Sequence, residues 1–547
     1  GAEKLAQHRN RAGQRAAGAA AADAGAKTAH QLADVIAQAQ VVFGVGGQHH
    51  GLGTVALIFQ IKMSRVFFQH CNSSFRYVKF LCIFLAIRVL ELFLLNYGIE
   101  PEFYESEYNQ YWQDIMFENE ELKGFNPDII FIHTTNRNII NYPKITDDAD
   151  TVETKLKEEY EKYETMWKEI ADKFNCPIIQ NNFDFPFYRL LGNKDATNIH
   201  GRTNFITKLN LKFAEYAENN NNFYINDINY QSAQFGLDKW NDLFYWYMYK
   251  YALSMEAIPT LAFNVANIIK AIYGKNKKGL VLDLDNTLWG GIVGDDGVEN
   301  IQIGQETATA EAYLEFQEYL KEHKDLGILL NVNSKNEMEN ALAGLNHEDG
   351  ALKPEDFIVI KANWEPKSKN MTEIAEELNL GVDSLVFIDD NPAERAIVKK
   401  FVDKVETPPM DSVDKYIKTI DRNGYFEVIN ISKDDLKKSQ MYKENVERNK
   451  LMNKFEDYGD YLKSLEMKAT IQNFVPMYMA RIAQLTNKSN QFNLTTKRYT
   501  QAEIEEVAKN VVKTSFRGRD SGGERRNYQS CRFGFLARHL MIWSEQN

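Results

Sequence analysis

Cysteine is scarce: the 547 residues hold four, Cys71, Cys82, Cys176 and Cys531, at spacings that suit neither a metal-ligand set nor a redox pair. A disulfide framework is excluded, and a reducing cytoplasm fits better than secretion. Positive charge is in deficit too. Lys and Arg total 64 against 76 for Asp and Glu, and the formal charge of −12 repels a phosphate backbone and excludes nucleic acid as a partner. A phosphorylated small molecule needs only local positive charge. Long apolar runs are also missing. The nearest, Phe80 to Leu95, is broken by Arg88 and Glu91, a charge pair that costs several kcal/mol in hydrocarbon, so it reads as a buried helix or strand-helix unit and not as a membrane span. What remains is ordinary: 44% hydrophobic, 26% charged and 12% aromatic residues exclude a disordered or fibrous chain. At about 150 residues per domain, the length predicts three or four domains.

The ends differ from the body. Fifteen of the first 40 residues are Ala, acids are few, and glycines follow, so residues 1–63 read as a leader outside the native fold, a cloning scar or mistranslated segment rather than a transit peptide. From 511 to 547 the chain turns basic and loses periodicity, and this tail is expected to be foreign to the domain before it. Between 64 and 270, short apolar runs alternate with amphipathic helices: "PDIIFIH" at 127–133, a helix over 151–174, then "CPIIQNN" at 176–182. Leu156, Tyr160, Tyr163, Trp167, Ile170 and Phe174 recur at helical steps and predict a helix covering a sheet. The aromatic stretch "KWNDLFYWYMYKYALSM" at 239–255 reads as core packing and carries no assigned chemistry.

From 276 to 410 the alternation is clearest. Apolar runs "KGLVLDLDNTLW", "LGILLNVNS", "DFIVIKA" and "DSLVFIDDNP" are separated by helices over 308–323, 336–345 and 368–379, and a helix over 392–401 follows. In an open parallel sheet the carboxyl ends of the strands share one crevice. Asp283 and Asp285 end the first run, Ser334 the second, and Asp389 with Asp390 the last, while Lys367 opens a helix after "NWEP". Two acids two residues apart point to opposite sides of a strand unless the strand ends there. Together these residues supply a carboxylate nucleophile, an acid, a hydroxyl, a cation and paired acids for a hard divalent ion, the set phosphoryl transfer needs.

In their order, "DLDNT", Ser334, Lys367 and the Asp389–Asp390 pair resemble the four motifs of the haloacid dehalogenase (HAD) superfamily of phosphatases. "LDLDNTLWGGIVGDDG", "NSKNE", "FIDDNPAER" and "QLTNKSNQFNLTTKRYT" narrow the resemblance to the FkbH-like proteins of HAD subfamily IIIC, over roughly residues 91–510. The resemblance implies that Asp283 attacks phosphorus, that Asp285 protonates the leaving group and then activates water, and that Thr287 orients the nucleophile. Ser334 and Lys367 would hold phosphoryl oxygens, with Lys369 a rival for the cationic role. Mg²⁺ would lie on the carboxylates of Asp283 and Asp389 and the carbonyl of Asp285, with Asp390 direct or through water. Asn391 and Glu394 read equally as site residues or as helix-capping and surface groups.

The implied architecture is multi-domain α/β: a degenerate SGNH-hydrolase-like domain at 64–270, a capless Rossmann-like HAD domain at 276–410, and a partial GNAT-like α+β domain at 420–510. Ser334 lies only 47 positions after Thr287, and Lys367 33 positions after Ser334, too few for a cap, so the site is expected to be open to a phosphate presented on a large molecule. Relatives of this kind process a phosphoglyceryl unit from 1,3-bisphosphoglycerate and load it on an acyl carrier protein through an enzyme cysteine. No cysteine lies between Cys176 and Cys531, which weakens the transfer step and leaves the phosphatase step intact. The first domain lacks a GDS-type serine and a DxxH after Asp238 or Asp242, so it reads as non-catalytic and His133 as packed. The end lacks a glycine loop leading into a helix for coenzyme A, which argues against acetyl transfer. The competing reading is a non-catalytic scaffold, or a carrier-protein-binding module with an idle HAD site.

Overall fold

A computed structural model describes residues 74–431, apart from 81–83, 107–109 and 250, together with 438–452, 468–472, 476–480, 482–483, 499–509 and 515–519. The leader at 1–63, most of the tail, "QLTNKSNQFNLTTKRYT" up to Arg498, and Cys71, Cys82 and Cys531 lie outside these residues.

Two open parallel sheets organise the molecule. The first takes the order β2-β1-β3-β4-β5, from β1 (Ser74–Phe80), β2 (Glu100–Glu105), β3 (Ile129–Ile132), β4 (Ile178–Asn181) and β5 (Phe223–Asn226). Helix α1 (Phe84–Asn96) connects β1 to β2, α2 (Ala149–Phe174) connects β3 to β4, α3 (Arg202–Asn219) connects β4 to β5, and α4 (Ile258–Ile272) follows. Residues 84–95 of the apolar run lie in α1, whose Val89, Leu90 and Leu94 are buried against Ala262, Val265 and Ile269 of α4. Arg88 and Glu91 pair at 2.9 Å on its outer side. Among the described residues, no helix is long and apolar enough to cross a membrane.

The other face of the sheet is covered by α2 and α3. The Asp148 carboxylate accepts from the Thr151 amide and starts α2, and Asn175, in a left-handed conformation at φ 49°, ends it. Leu156, Tyr163, Met166, Trp167 and Ile170 are buried against Ile130, Ile132 and Ile178, while Tyr160 and Phe174 lie at the margin. The stretch at 239–255 corrects the core-packing reading. Trp240 and Leu253 are buried, but in the helix Leu243–Tyr249, Phe244, Tyr247 and Met248 are 63%, 67% and 59% exposed. The run is aromatic on more sides than the core can take, and Arg137 stacks its guanidinium 4.2 Å above Trp246 instead.

The second sheet has the order β8-β7-β6-β9, from β6 (Gly279–Leu282), β7 (Leu329–Ser334), β8 (Ile360–Ala362) and β9 (Leu385–Ile388). Helices α5 (Ala308–Asp325), α6 (Met338–Leu345) and α7 (Lys367–Glu377) make the crossovers, and α8 (Pro392–Phe401) follows β9. Alternation along the strands splits the core. Leu280, Leu282, Leu330 and Val332 face Phe316 and Leu320, whereas Val281 and Phe387 face Met371, Ile374 and Val398. The first of these cores takes in Met410 and continues past it into Tyr416 and Ile420 of α9 (Tyr416–Arg422) and into Tyr425. Tyr442 and Val446 of α10 (Lys438–Met452) reach the second.

The halves meet at the last turn of α4. The Lys270 ammonium donates to the carbonyl of Gly424 and, at 3.2 Å, to Asn267 Oδ1, which also accepts from Tyr97 Oη at 2.8 Å. Gly424 has φ 60°, and a Cβ there would lie 2.1 Å from the Asn267 amide, so no other residue fits without rebuilding the contact. Farther on, β10 (Lys468–Gln472) pairs antiparallel with β11 (Ser515–Arg519). These five residues of the tail, expected to be foreign, thus complete a ribbon with the preceding segment.

Candidate active site

The strand order of the second sheet reverses between β6 and β9, the point at which such sheets open a crevice at their carboxyl edge. Leu282 is in register with Val332 on one side and Ile388 on the other, so the next residues, Asp283, Asn333 and Asp389, come level there. Strand β6 stops at Leu282, which frees Asp285 from the alternation that would have turned it away. Asn286 takes a left-handed conformation at φ 54°, and its carbonyl accepts from two tyrosine hydroxyls, Tyr313 of α5 at 3.2 Å and Tyr416 of α9 at 3.1 Å.

Carboxylate oxygens of Asp283, Asp389 and Asp390 lie within 4.8 Å of one another, a group able to hold a metal ion. The buried Lys367 ammonium sits 2.9 Å from Asp283 Oδ2 and 2.6 Å from Asp389 Oδ2. Burial works against this ammonium, but the two carboxylates outweigh it and hold its pKa above the usual lysine value. Burial raises Asp389 as well, and the like charge of Asp283 adds to that, so it titrates above an ordinary aspartate despite its ion pair. Asp390 is raised for the same reasons in the same order. Three acids against one lysine leave the pocket short of positive charge. Asp283 Oδ1 is buried with no hydrogen-bond partner, an orphaned acceptor of the kind a cation satisfies.

Asp285 is oriented by three donors. Its Oδ1 accepts from Trp289 Nε1 and the Val293 amide, both at 3.0 Å, and its Oδ2 from Asn336 Nδ2 at 2.9 Å; burial raises its pKa. The Trp289 ring passes so close to α6 that a Cβ on Gly344 would lie 2.8 Å from it. Thr287 is buried and accepts from the Asp390 amide at 3.2 Å, tying the first acidic loop to the last. Ser334 is buried at the end of β7, and its carbonyl accepts from the Asn363 amide at 3.1 Å. Lys369 lies outside the pocket, exposed, 3.1 Å from Glu365. Asn391 caps α8 by accepting from the Ala393 amide, and Glu394 pairs with Lys335. Arg395 instead holds the loop, donating to the carbonyls of Asp389 and Asp390 at 2.6 and 2.7 Å.

Sequence reasoning passed over Asn333, Asn370, Asn336 and both tyrosines. Asn333 Nδ2 donates to the Lys367 carbonyl at 2.9 Å and its Oδ1 accepts from Asn370 at 3.1 Å, so the first turn of α7 is pinned where its lysine is aimed. A buried asparagine at the penultimate position of an apolar strand was the available signal. In the first half, His133 is buried with Nδ1 2.6 Å from Asn181 Nδ2, a packed histidine. Cys176 is buried and its thiol is pushed up to about 12 by desolvation.

Three comparisons bear on this geometry. Residues 84–270 match the family model described as FkbH, N-terminal domain. The chain is similar to a crystal structure of the N-terminal part of a Bacteroides fragilis protein that contains a phosphatase domain and was solved in complex with Mg. The two are 29% identical, the alignment covers 65% of this chain and 95% of that one, and the TM-score is 0.60. No curated protein matches. The resemblance to FkbH-like proteins drawn from the motifs therefore holds, and the α/β fold with parallel sheets agrees with it.

Proposed function

We propose that the chain is a Mg²⁺-dependent phosphohydrolase or phosphotransferase of HAD type, acting on a phosphorylated molecule through an aspartyl-phosphate. The observation that carries the reading is the cluster of buried Asp283 and Asp389, bridged by Lys367, with half-buried Asp390 beside them and an Asp283 oxygen left over. An oxygen of the Asp283 carboxylate attacks phosphorus, the bond from phosphorus to the leaving oxygen breaks, and Asp285 gives that oxygen its proton. Water then attacks the phosphorus of the acyl phosphate, Asp285 takes the water proton, and inorganic phosphate leaves with Asp283 restored. Lys367 and Ser334 hold phosphoryl oxygens, and Thr287 keeps the nucleophile and the Asp390 loop in register. Asp283 and Asp389, with the Asp285 carbonyl and Asp390, hold Mg²⁺, which supplies charge to offset the anionic phosphoryl group as it is transferred.

The substrate reading follows the resemblance: a phosphoglyceryl unit destined for an acyl carrier protein. Any transfer uses the carrier's own thiol, because Cys176 is buried away from the crevice strands and its desolvation suppresses the thiolate. Purified protein assayed with Mg²⁺ and an aryl phosphate tests the core of the proposal. Turnover lost in Asp283→Asn, in a variant that still melts cooperatively, supports it; turnover that survives overturns the mechanism and favours an idle, carrier-binding module.

A further inference from the structure

Two arginines of the first half are held by aromatic rings and by nothing charged. Arg137 and Arg202 make no ion pair and no side-chain hydrogen bond among the described residues. The Arg137 guanidinium lies 4.2 Å over the Trp246 ring, and that of Arg202 lies 4.8 Å over Tyr142 and 5.0 Å over Tyr188. A guanidinium on a ring keeps its N–H groups for other acceptors. Asp184 acts on Arg137 only from beyond ion-pair distance, and one of its oxygens is already taken up by Asn136.

The two belong to one rim at the carboxyl edge of the first sheet. Arg137 sits in the turn Asn136–Asn138 after β3, and Arg202 opens α3 after β4. Tyr142 Oη donates to the Asn136 carbonyl at 2.9 Å, so a ring beneath Arg202 is tied to the residue before Arg137. Asn136 is fixed in turn, its amide and its Nδ2 donating to buried Asp184 at 2.8 and 2.9 Å. Tyr188, the other ring beneath Arg202, lies close enough to act on the charge of Arg137, as does Tyr247. Phe187 packs 4.9 Å from Tyr188. These rings face water: Phe187 and Tyr188 are 46% and 42% exposed, and Tyr247 more so.

Arginine set among exposed tyrosine and phenylalanine is the composition of an anchor region in a protein interface. The charge says what kind of partner fits. The chain carries −12 overall, yet supplies these two cations with no carboxylate, so the partner brings its own. A second copy in a two-fold contact would set arginine against arginine. An anionic membrane calls for a cluster of about four to eight Lys and Arg and repels the rest of an acidic chain. We infer that the rim carrying Arg137, Arg202, Tyr188 and Tyr247 is a docking surface for an acidic partner protein, which sets carboxylates against the guanidiniums and an apolar side chain against the tyrosines. This goes beyond the phosphohydrolase reading and does not depend on it: it gives the half of the chain without the metal-binding acids a role in recruitment.

Fluorescence anisotropy with the whole chain, titrated into labelled polyglutamate and into a labelled random copolymer of glutamate and tyrosine, tests it at about 50 and 500 mM salt. The wild type is expected to bind the copolymer more tightly than polyglutamate, and to bind both less tightly at the higher salt. Arg137→Ala with Arg202→Ala should weaken binding at least about tenfold. Lys123→Ala with Lys168→Ala removes the same charge from exposed positions elsewhere and should change binding less than about twofold. Tyr247→Ser, at an exposed site that the fold does not need, should erase the preference for the copolymer. Phosphatase turnover should be unchanged in every variant. Equal losses in the two double variants overturn the docking surface, as does a wild-type chain that binds neither polymer. A wild-type chain that sediments with vesicles of equal parts phosphatidylserine and phosphatidylcholine, and leaves the copolymer free, overturns it in favour of a membrane.

Discussion

Both sheets are parallel with one reversal of strand order, yet the polar groups gathered at their carboxyl edges differ in kind. In the first, most of the groups are neutral amides bonded to one another, and the buried carboxylate beside them, Asp184, is held by the amide and side chain of Asn136. Asn181 Nδ2 donates to His133, Asn181 Oδ1 accepts from Asn226 at 2.7 Å, Asn226 Oδ1 accepts from Gln231 at 2.7 Å, and Gln180 joins Trp167 at 3.0 Å to Thr134 at 2.8 Å. In the second, carboxylates outnumber the one lysine among them, and an oxygen of Asp283 has no partner. An edge built mainly of paired amides behaves as a piece of core; an edge where carboxylates outnumber the cation is poised for a ligand.

The sharpest way to break this contrast is to neutralise one group on each edge. Asp283→Asn is expected to reduce phosphatase kcat by at least about 1,000-fold, since the nucleophile is removed, with little change in melting temperature. Asn181→Ala should do the reverse, costing about 1–3 kcal/mol of stability because His133 and Asn226 lose a buried partner, with kcat against the aryl ester unchanged. Denaturant titration and kinetics on both variants decide it; activity lost in Asn181→Ala with stability intact would show that the first edge is also a working site.

A second test asks which edge is short of charge without measuring turnover. Mg²⁺ at about 100 times its dissociation constant should stabilise the folded chain by about 2.7 kcal/mol, and Asp389→Asn should remove most of that gain. Calorimetry with and without the ion checks it, and an equal gain in both proteins would assign the ion elsewhere. The smallest effect concerns the loop that follows the two acids past the end of β6. Tyr416→Phe should lower kcat roughly 2–10-fold at nearly constant KM, the loss of one of two hydrogen bonds to the Asn286 carbonyl, and Tyr313→Phe with Tyr416→Phe should exceed either alone. Equal rates in the wild type and the double variant would mean the tyrosines merely pack.

The second sheet was the legible one. Three of its four apolar runs end in acids or a hydroxyl, and short strands with chemistry at their ends leave the same pattern in sequence as in space. Lys367 and Lys369 share the first turn of α7 and were separable in sequence only by the order of the motifs; in space Lys367 turns back to the sheet and Lys369 out to Glu365. Tyr416 was out of reach: it comes after the last strand, in a helix too short to show a periodicity, and reaches Asn286 across 130 positions of chain. The aromatic helix at 243–249 misled because hydrophobicity alone cannot say how many sides of a helix the core will accept. Asn333 and Asn181 sit in strands where composition promises only apolar packing, and their amides matter through partners far away in sequence.

The Lys270 clasp alters how the molecule should come apart. Its ammonium is buried at the seam, where desolvation brings its pKa down to about 8, and Tyr97, Asn267 and Gly424 are contributed from segments on either side of the second sheet. A protease cut in the 273–278 connection would therefore not release two bodies. The fragments would stay together through residues 424–427, which rejoin the first half after the whole second sheet has been laid down, so the chain is stitched rather than strung.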